Sequence, residues 1–222
     1  MRIPEDAPLL PDSDKLRRHM VERQLAGRDI VDTSVLHAMR QLPRELFLAR
    51  PMARHAYDDS ALPIAAGQTI SQPYIVGLMA QAAALDPSKR VLEIGTGSGY
   101  AAAVLALLAR HVYSVERHAL LARQAAALLS SLDIRNVSVR TGDGIAGWAE
   151  EAPFDAILAA ASGHDIPPAW KAQLAIGGRL IMPLGGVDRP QRLLLLKRTS
   201  ETGFAEEDLG DVMFVPLVAG ED

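Results

Sequence analysis

Between Arg90 and Ala161 short apolar runs alternate with longer runs rich in alanine and leucine, and this alternation constrains the fold more than any other feature of the chain. "RVLEIG" has the length and β-branched character of a buried strand, whereas "YAAAVLALLAR" has the length and spacing of a helix. "HVYSVE" and "VSVRTGD" repeat the first pattern, "ALLARQAAALLSSL" repeats the second, and "FDAILAAA" closes the series as a strand. Strands separated by helices pair in parallel, with the helices covering both faces of the sheet. A short helix is predicted around Pro168 to Leu174, with Pro167 and Pro168 at its start. "GGRLIMPLG", "RLLLLKRT" and "DVMFVPLVAG" read as three further strands; the last two have no helix between them, so the sheet should end antiparallel. The expected fold class is therefore α/β: a Rossmann-like, doubly wound, mostly parallel sheet with an antiparallel end and an N-terminal helical extension.

The extension is read from spacing. Residues 1–11 read as a loose arm. Asp12 to Leu25 has helical spacing, with Leu16, Met20 and Leu25 on one face. Asp32 or Thr33 can cap a second helix through Val35, Leu36 and Met39, stopped by Pro43. Residues 43–72 are irregular, and a long irregular stretch in a compact domain is often functional. The predicted organisation is one domain over 12–222, with 12–72 as a helical and irregular cap and 73–222 as the Rossmann-like core. The 222 residues, 49% of them apolar, suffice for such a core.

Charge and composition narrow the function. A net charge of -4 argues against affinity built on nucleic-acid phosphates. The absence of cysteine removes disulfides and thiolate metal sites. The N-terminus lacks a secretory apolar region, and no apolar run approaches the roughly 20 residues that span a bilayer. The expectation is a cytoplasmic monomer with neither nucleic-acid nor membrane partners. The six histidines show no metal-ligand spacing, and no G-x-S-x-G elbow accompanies "SGHD" at 162–165. "DIPPAW" resembles the Asp/Asn-Pro-Pro-aromatic motif of base-modifying methyltransferases, but Ile166 interrupts it.

The loop "GTGSG" after the first of these strands is the main chemical signal. Gly95, Gly97 and Gly99 allow a sharp turn and close approach of a ligand to backbone. Their G-x-G-x-G spacing fits neither the dinucleotide fingerprint nor the phosphate loop, and no lysine follows. Glu93 precedes the loop, Glu116 ends the next strand and Asp143 ends the third. All three acids fall on the carboxyl edge of the sheet, where ligands bind in such folds. Such an edge suits a ligand with a ribose and an amino group and repels several phosphates. S-adenosyl-L-methionine fits that description.

Ser71, in "GQTISQP" ahead of an apolar helical pattern, permits two readings. Its position suits a helix N-cap, because its oxygen can accept from a free backbone N–H. Its place at the end of a long irregular stretch also suits contact with a substrate.

Taken together the chain resembles the protein-L-isoaspartate O-methyltransferase family over residues 20–218. The resemblance rests on "MVERQL", "LPRELF", "YDDSALPI", "GQTISQP", "VLEIGTGSGY", "VYSVER", "GDGIAGW", "GGRLIMPLG" and "FVPLV". "YDDSALPI" followed by "GQTISQP" is its most specific part. It implies methyl transfer from S-adenosyl-L-methionine to the α-carboxyl of L-isoaspartyl residues in damaged peptides, with S-adenosyl-L-homocysteine as the other product. Ser71 matches the family's active-site serine. Glu93, Gly95, Thr96, Gly97, Ser98 and Gly99 match the cofactor loop, Glu116 the ribose ligand, and Asp143 with Gly144 the adenine-side loop. Gln68, Thr69 and Ile70 match the segment that folds over cofactor and substrate. Two places depart from the pattern: Ser162, Gly163 and His164 stand before the prolines, and Met213 replaces an arginine common ahead of "FVPL". Two alternatives stand beside this reading: a carboxyl methyltransferase for a dedicated Asp-containing peptide partner, and a non-catalytic S-adenosyl-L-methionine-binding protein.

Overall fold

A computed structural model of the chain describes residues 10–186 and 189–220. Residues 1–9 of the predicted N-terminal arm lie outside the described residues.

The N-terminal segment folds as helices. α1 spans Ser13–His19 and runs directly into a π-helical stretch, Met20–Leu25. Met20 and Leu25 are buried as expected, but Leu16 is 40% exposed and Arg17 takes the inward position. The wider π turn changes the helical phase, and Arg17 Nε finds a fixed acceptor in the Arg40 carbonyl at 2.7 Å. α2, Thr33–Gln41, is capped by Asp32, whose carboxylate accepts from the amides of Ser34 and Val35. A 3₁₀ turn, Arg44–Phe47, a short α3, Arg50–Ala53, and a small antiparallel pair, β1 Leu62–Pro63 with β2 Thr69–Ile70, make up the irregular stretch.

α4, Pro73–Ala83, follows with Pro73 at its first position. Its N-cap is Gln72, without a side-chain cap bond, so the cap reading of Ser71 does not hold. Proline needs no partner for the amide it lacks, and its fixed φ starts the helix without help from a serine.

The main sheet comprises β3 Arg90–Ile94, β4 His111–Glu116, β5 Val137–Thr141, β6 Phe154–Ala159, β7 Leu174–Leu184, β8 Gln191–Arg198 and β9 Phe204–Val212. Their order is β5-β4-β3-β6-β7-β8-β9. The pairs from β5 to β7 are parallel, and β7–β8 and β8–β9 are antiparallel. The helices between strands are α5 Tyr100–Ala106, α6 Ala119–Ser131 and α7 Pro168–Gln173. The mostly parallel sheet with an antiparallel end agrees with the sequence reading.

The last strand does not lie where it was expected. It covers "FAEEDLGDV" rather than 211–220. A tight turn, closed by the Thr199 amide on the Gly203 carbonyl at 2.9 Å, returns the chain at once and pairs Phe204 with Arg198. The acidic residues of β9 are solvated at the sheet's edge, where charge opposes further strand pairing. Residues 213–218 are thereby free to cross the carboxyl ends of the parallel strands. There the Ser162 amide donates to the Val215 carbonyl at 2.8 Å, and the Leu217 amide to the Ser162 carbonyl at 2.7 Å.

Two apolar clusters sandwich the sheet. One unites Met20, Leu25, Met39, Val76, Tyr100 and Val91, so the N-terminal helices share a core with α4, α5 and the central strand. The other gathers Leu92, Phe154, Trp170, Leu180 and Leu194 on the opposite face.

Candidate functional site

The strand order reverses at β3, since β4 lies on one side and β6 on the other. The loops leaving β3 and β6 diverge there and open a crevice at the carboxyl edge. The Gly95 amide bonds the Val115 carbonyl and the Ala160 amide bonds the Ile94 carbonyl, each at 2.8 Å, extending the ladder to the crevice floor.

The glycine loop turns over this floor. Gly97 has φ +54° and Gly99 has φ +85°, both in the left-handed region that a side chain disfavours. A Cβ on Gly99 would lie 3.2 Å from the Ala125 Cβ, so that glycine lets the loop pack on α6. A Cβ on Gly97 would come no nearer to protein than 3.5 Å, from Ile64, and Gly97 lines the cavity. Glu116 secures the loop from β4: one oxygen accepts from the Gly97 amide at 2.9 Å, the other from the His118 amide at 3.0 Å.

The cavity so formed has a volume of about 200 Å³. Of the residues expected at a cofactor site, Gln68, Thr69, Gly95, Gly97, Glu116 and Gly144 line it. A smaller cavity of about 30 Å³ lies beside it and has Ala160 in common with it. Ser71 and Glu93 lie on that smaller wall, among Val76, Met79 and Leu158. The remaining predicted residues stand behind the walls. Ile70 is core; the Thr96 hydroxyl is 2.5 Å from that of Ser114; and the Ser98 hydroxyl accepts from the Tyr100 amide at 3.4 Å. Asp143 accepts from the amides of Ile145 at 2.8 Å and Gly220 at 2.9 Å, which ties the C-terminal crossing to the third strand's loop.

Glu93 is the electrostatic outlier. Burial pushes its carboxyl up to about 8; the hydrogen bond from Ser114, at 2.5 Å, opposes the shift, and the charge of Glu116 adds to it. Its second oxygen has no partner. A buried, unpaired carboxyl oxygen is costly and invites a hydrogen-bonding partner from a ligand.

Sequence reasoning missed residues 215–218, which also line the main cavity. Their continuous apolar run, "FVPLV", reads as a strand; Pro216, which cannot donate to a ladder, is the signal against it.

These residues fit S-adenosyl-L-methionine. Glu116 keeps lone pairs for ribose hydroxyls, Glu93 offers an unpaired oxygen beneath the loop, and Gly97 leaves the backbone open to close approach.

Comparison with known proteins gives the same direction. A protein-L-isoaspartate O-methyltransferase of Rhodopseudomonas palustris is 55% identical over 202 residues, 91% of this chain and 93% of that one. A solved protein-L-isoaspartate O-methyltransferase matches with a TM-score of 0.80 and 30% identity; the match covers 92% of this chain and 65% of that one. A Plasmodium falciparum protein assigned to the same enzyme type, solved in complex with S-adenosyl-L-homocysteine, matches with a TM-score of 0.78 and 26% identity over 91% of this chain and 98% of that one. The family model for protein-L-isoaspartate(D-aspartate) O-methyltransferase matches residues 15–222, from α1 through the C-terminal crossing, and the chain belongs to that family.

Proposed function

We propose that this chain methylates the α-carboxyl of L-isoaspartyl residues in damaged peptides and proteins, a repair reaction. The observation that carries the reading is the adjacency of the two cavities: the Ser71 wall adjoins the glycine-loop cavity through Ala160. S-adenosyl-L-methionine, when bound, supplies a sulfonium methyl that needs no activation by protein. The acceptor carboxylate is ionised at neutral pH, so no general base is required. The methyl that the bound cofactor would supply would join one carboxylate oxygen and leave a neutral thioether, so the two charges would cancel and no residue would have to move a proton. The ester then closes to a succinimide without the enzyme: the following residue's amide nitrogen attacks the ester carbon, and methanol leaves with the nitrogen's proton.

The work left to the protein is alignment and exclusion of water. Ser71 suits the first task. Its neutral hydroxyl can orient one oxygen of the acceptor without the strong charge pairing that would blunt its attack. Glu116 and Gly97 suit the hold on the ribose, and Gln68, Thr69 and the 215–218 crossing cover the cavity. The net charge of -4 favours peptide over nucleic-acid substrates, and no helix among the described residues is long and apolar enough to cross a membrane. The same reading takes the enzyme as a cytoplasmic monomer.

The test is methyl transfer from labelled S-adenosyl-L-methionine to paired peptides, one with L-isoaspartate and one with aspartate. Selective labelling of the isoaspartyl peptide is expected. Ser71→Ala should lower kcat by roughly 10–100-fold while affinity for S-adenosyl-L-homocysteine stays. Labelling of the aspartyl peptide alone, or of neither, would overturn the proposal.

A further inference from the structure

Arg44 is fully buried, in the 3₁₀ turn that follows Pro43. Burying a guanidinium is costly, so its partners should explain it. Its Nε donates to the Ala56 carbonyl and its Nη2 to the Ser71 carbonyl, both at 2.8 Å. Its plane stands over the Tyr100 ring, 4.7 Å from the centroid, and Tyr100 is the first residue of α5 after the glycine loop. Burial lowers its pKa to about 10, which still leaves it charged at neutral pH.

The Ser71 carbonyl needs such a partner. Gln72 is the N-cap of α4, and the first helical bond runs from the Val76 amide to the Gln72 carbonyl. The Ser71 carbonyl therefore lies one residue outside the helical ladder. Its bond to Arg44 fixes the peptide plane between Ser71 and Gln72, and with it ψ of Ser71. A planar fork can serve two carbonyls while stacking on a ring, whereas a lysine ammonium is a point donor without a plane.

We propose that Arg44 is a positioning residue for methyl transfer: by clamping the Ser71 carbonyl against the Ala56 carbonyl and the Tyr100 ring, it sets the backbone from which the Ser71 hydroxyl meets the acceptor. The inference rests on the reading of Ser71 given above. Arg44 itself lines neither cavity, and its effect on turnover runs through Ser71.

A double-mutant cycle tests it with wild type, Ser71→Ala, Arg44→Lys and the double variant. Each is measured for kcat and KM on an L-isoaspartyl peptide, affinity for S-adenosyl-L-homocysteine, and Tm. Arg44→Lys should lower kcat about tenfold, with cofactor affinity held within about threefold. In the Ser71→Ala background the same change should lower kcat by less than about twofold, although its effect on Tm is the same in both backgrounds. An equal loss of kcat in both backgrounds, or none in either, would overturn the positioning role. Ser71→Ala with unchanged kcat would instead overturn the reading of Ser71 itself, whatever Arg44→Lys does. If Arg44→Lys melts below the assay temperature, the cycle is run with Arg44→Gln, whose one nitrogen replaces the separate Nε and Nη2 donors of the fork, and the same outcomes decide.

Discussion

At the scale of single residues, Glu93 links stability to the site. The carboxyl is raised from an ordinary 4.5 to about 8 by burial, so the folded chain holds a proton that the unfolded chain has released between those values. Stability from this group is fully present below about pH 4.5, falls as pH rises towards 8, and changes no further above it. Glu93→Gln keeps the shape and removes the titration. Between pH 5 and pH 8 the wild type should lose roughly 1–4 kcal/mol relative to this variant in urea unfolding. Parallel pH slopes for the two proteins would show that Glu93 is ionised in the fold. That Glu93 lies near the end of a strand is legible in the sequence, but its burial is not. Burial depends on Ser114 and Thr96 closing over it from β4 and the glycine loop.

At the scale of elements, the C-terminal crossing matters most. Gln191, buried at the start of β8, receives the Phe214 amide at 2.7 Å and donates to the Phe214 carbonyl at 3.0 Å. The crossing therefore leaves β9 in a defined direction and reaches Ser162 and Gly220 in register with the cavity rim. Gln191→Leu strands both backbone groups of Phe214, a change worth about 1–3 kcal/mol for buried groups. The amides of Val215, Leu217 and Val218 should exchange faster in this variant, and S-adenosyl-L-homocysteine should bind more weakly. Unchanged exchange at Val215 and Leu217 would show that the bonds at Ser162 and Asp143 hold the crossing without Gln191. The sequence misplaces this element because "VMFVPLV" is a short continuous apolar run, which suits a buried strand. Pairing with β8 was already satisfied by the turn at Thr199–Gly203, so the later segment had no strand left to join.

At the scale of the whole molecule, the N-terminal helices and the sheet share one core. Met20, Leu25 and Met39 pack in the cluster that holds Val76, Tyr100 and Val91. Arg44 adds a polar joint between the N-terminal segment and α5. The proposed cap, 12–72, and core, 73–222, should accordingly unfold together in one cooperative transition. S-adenosyl-L-homocysteine at about 100 times its Kd should stabilise that transition by roughly 2.7 kcal/mol. Far-ultraviolet circular dichroism against near-ultraviolet signals from Trp148 and Trp170 checks it, and an early transition confined to helical signal would separate the cap from the core.

Local chemistry settled the alternation of strand and helix, the glycine turn, the Asp32 cap and the run of acids at strand ends. Each depends on backbone preferences and side chains within a few residues, which a linear string records. Proximity across the chain settled the rest. Ser71 and Glu93 lie 22 positions apart in sequence and share a wall because α4 packs against the central strands. Arg17 turns inward because the Arg40 carbonyl waits for it, and Arg44 is buried because two carbonyls remote in sequence converge on its fork. Such partners are distant in sequence and are brought together only by close packing of the folded layers, which is why the site's residues could be named from the string but its walls could not.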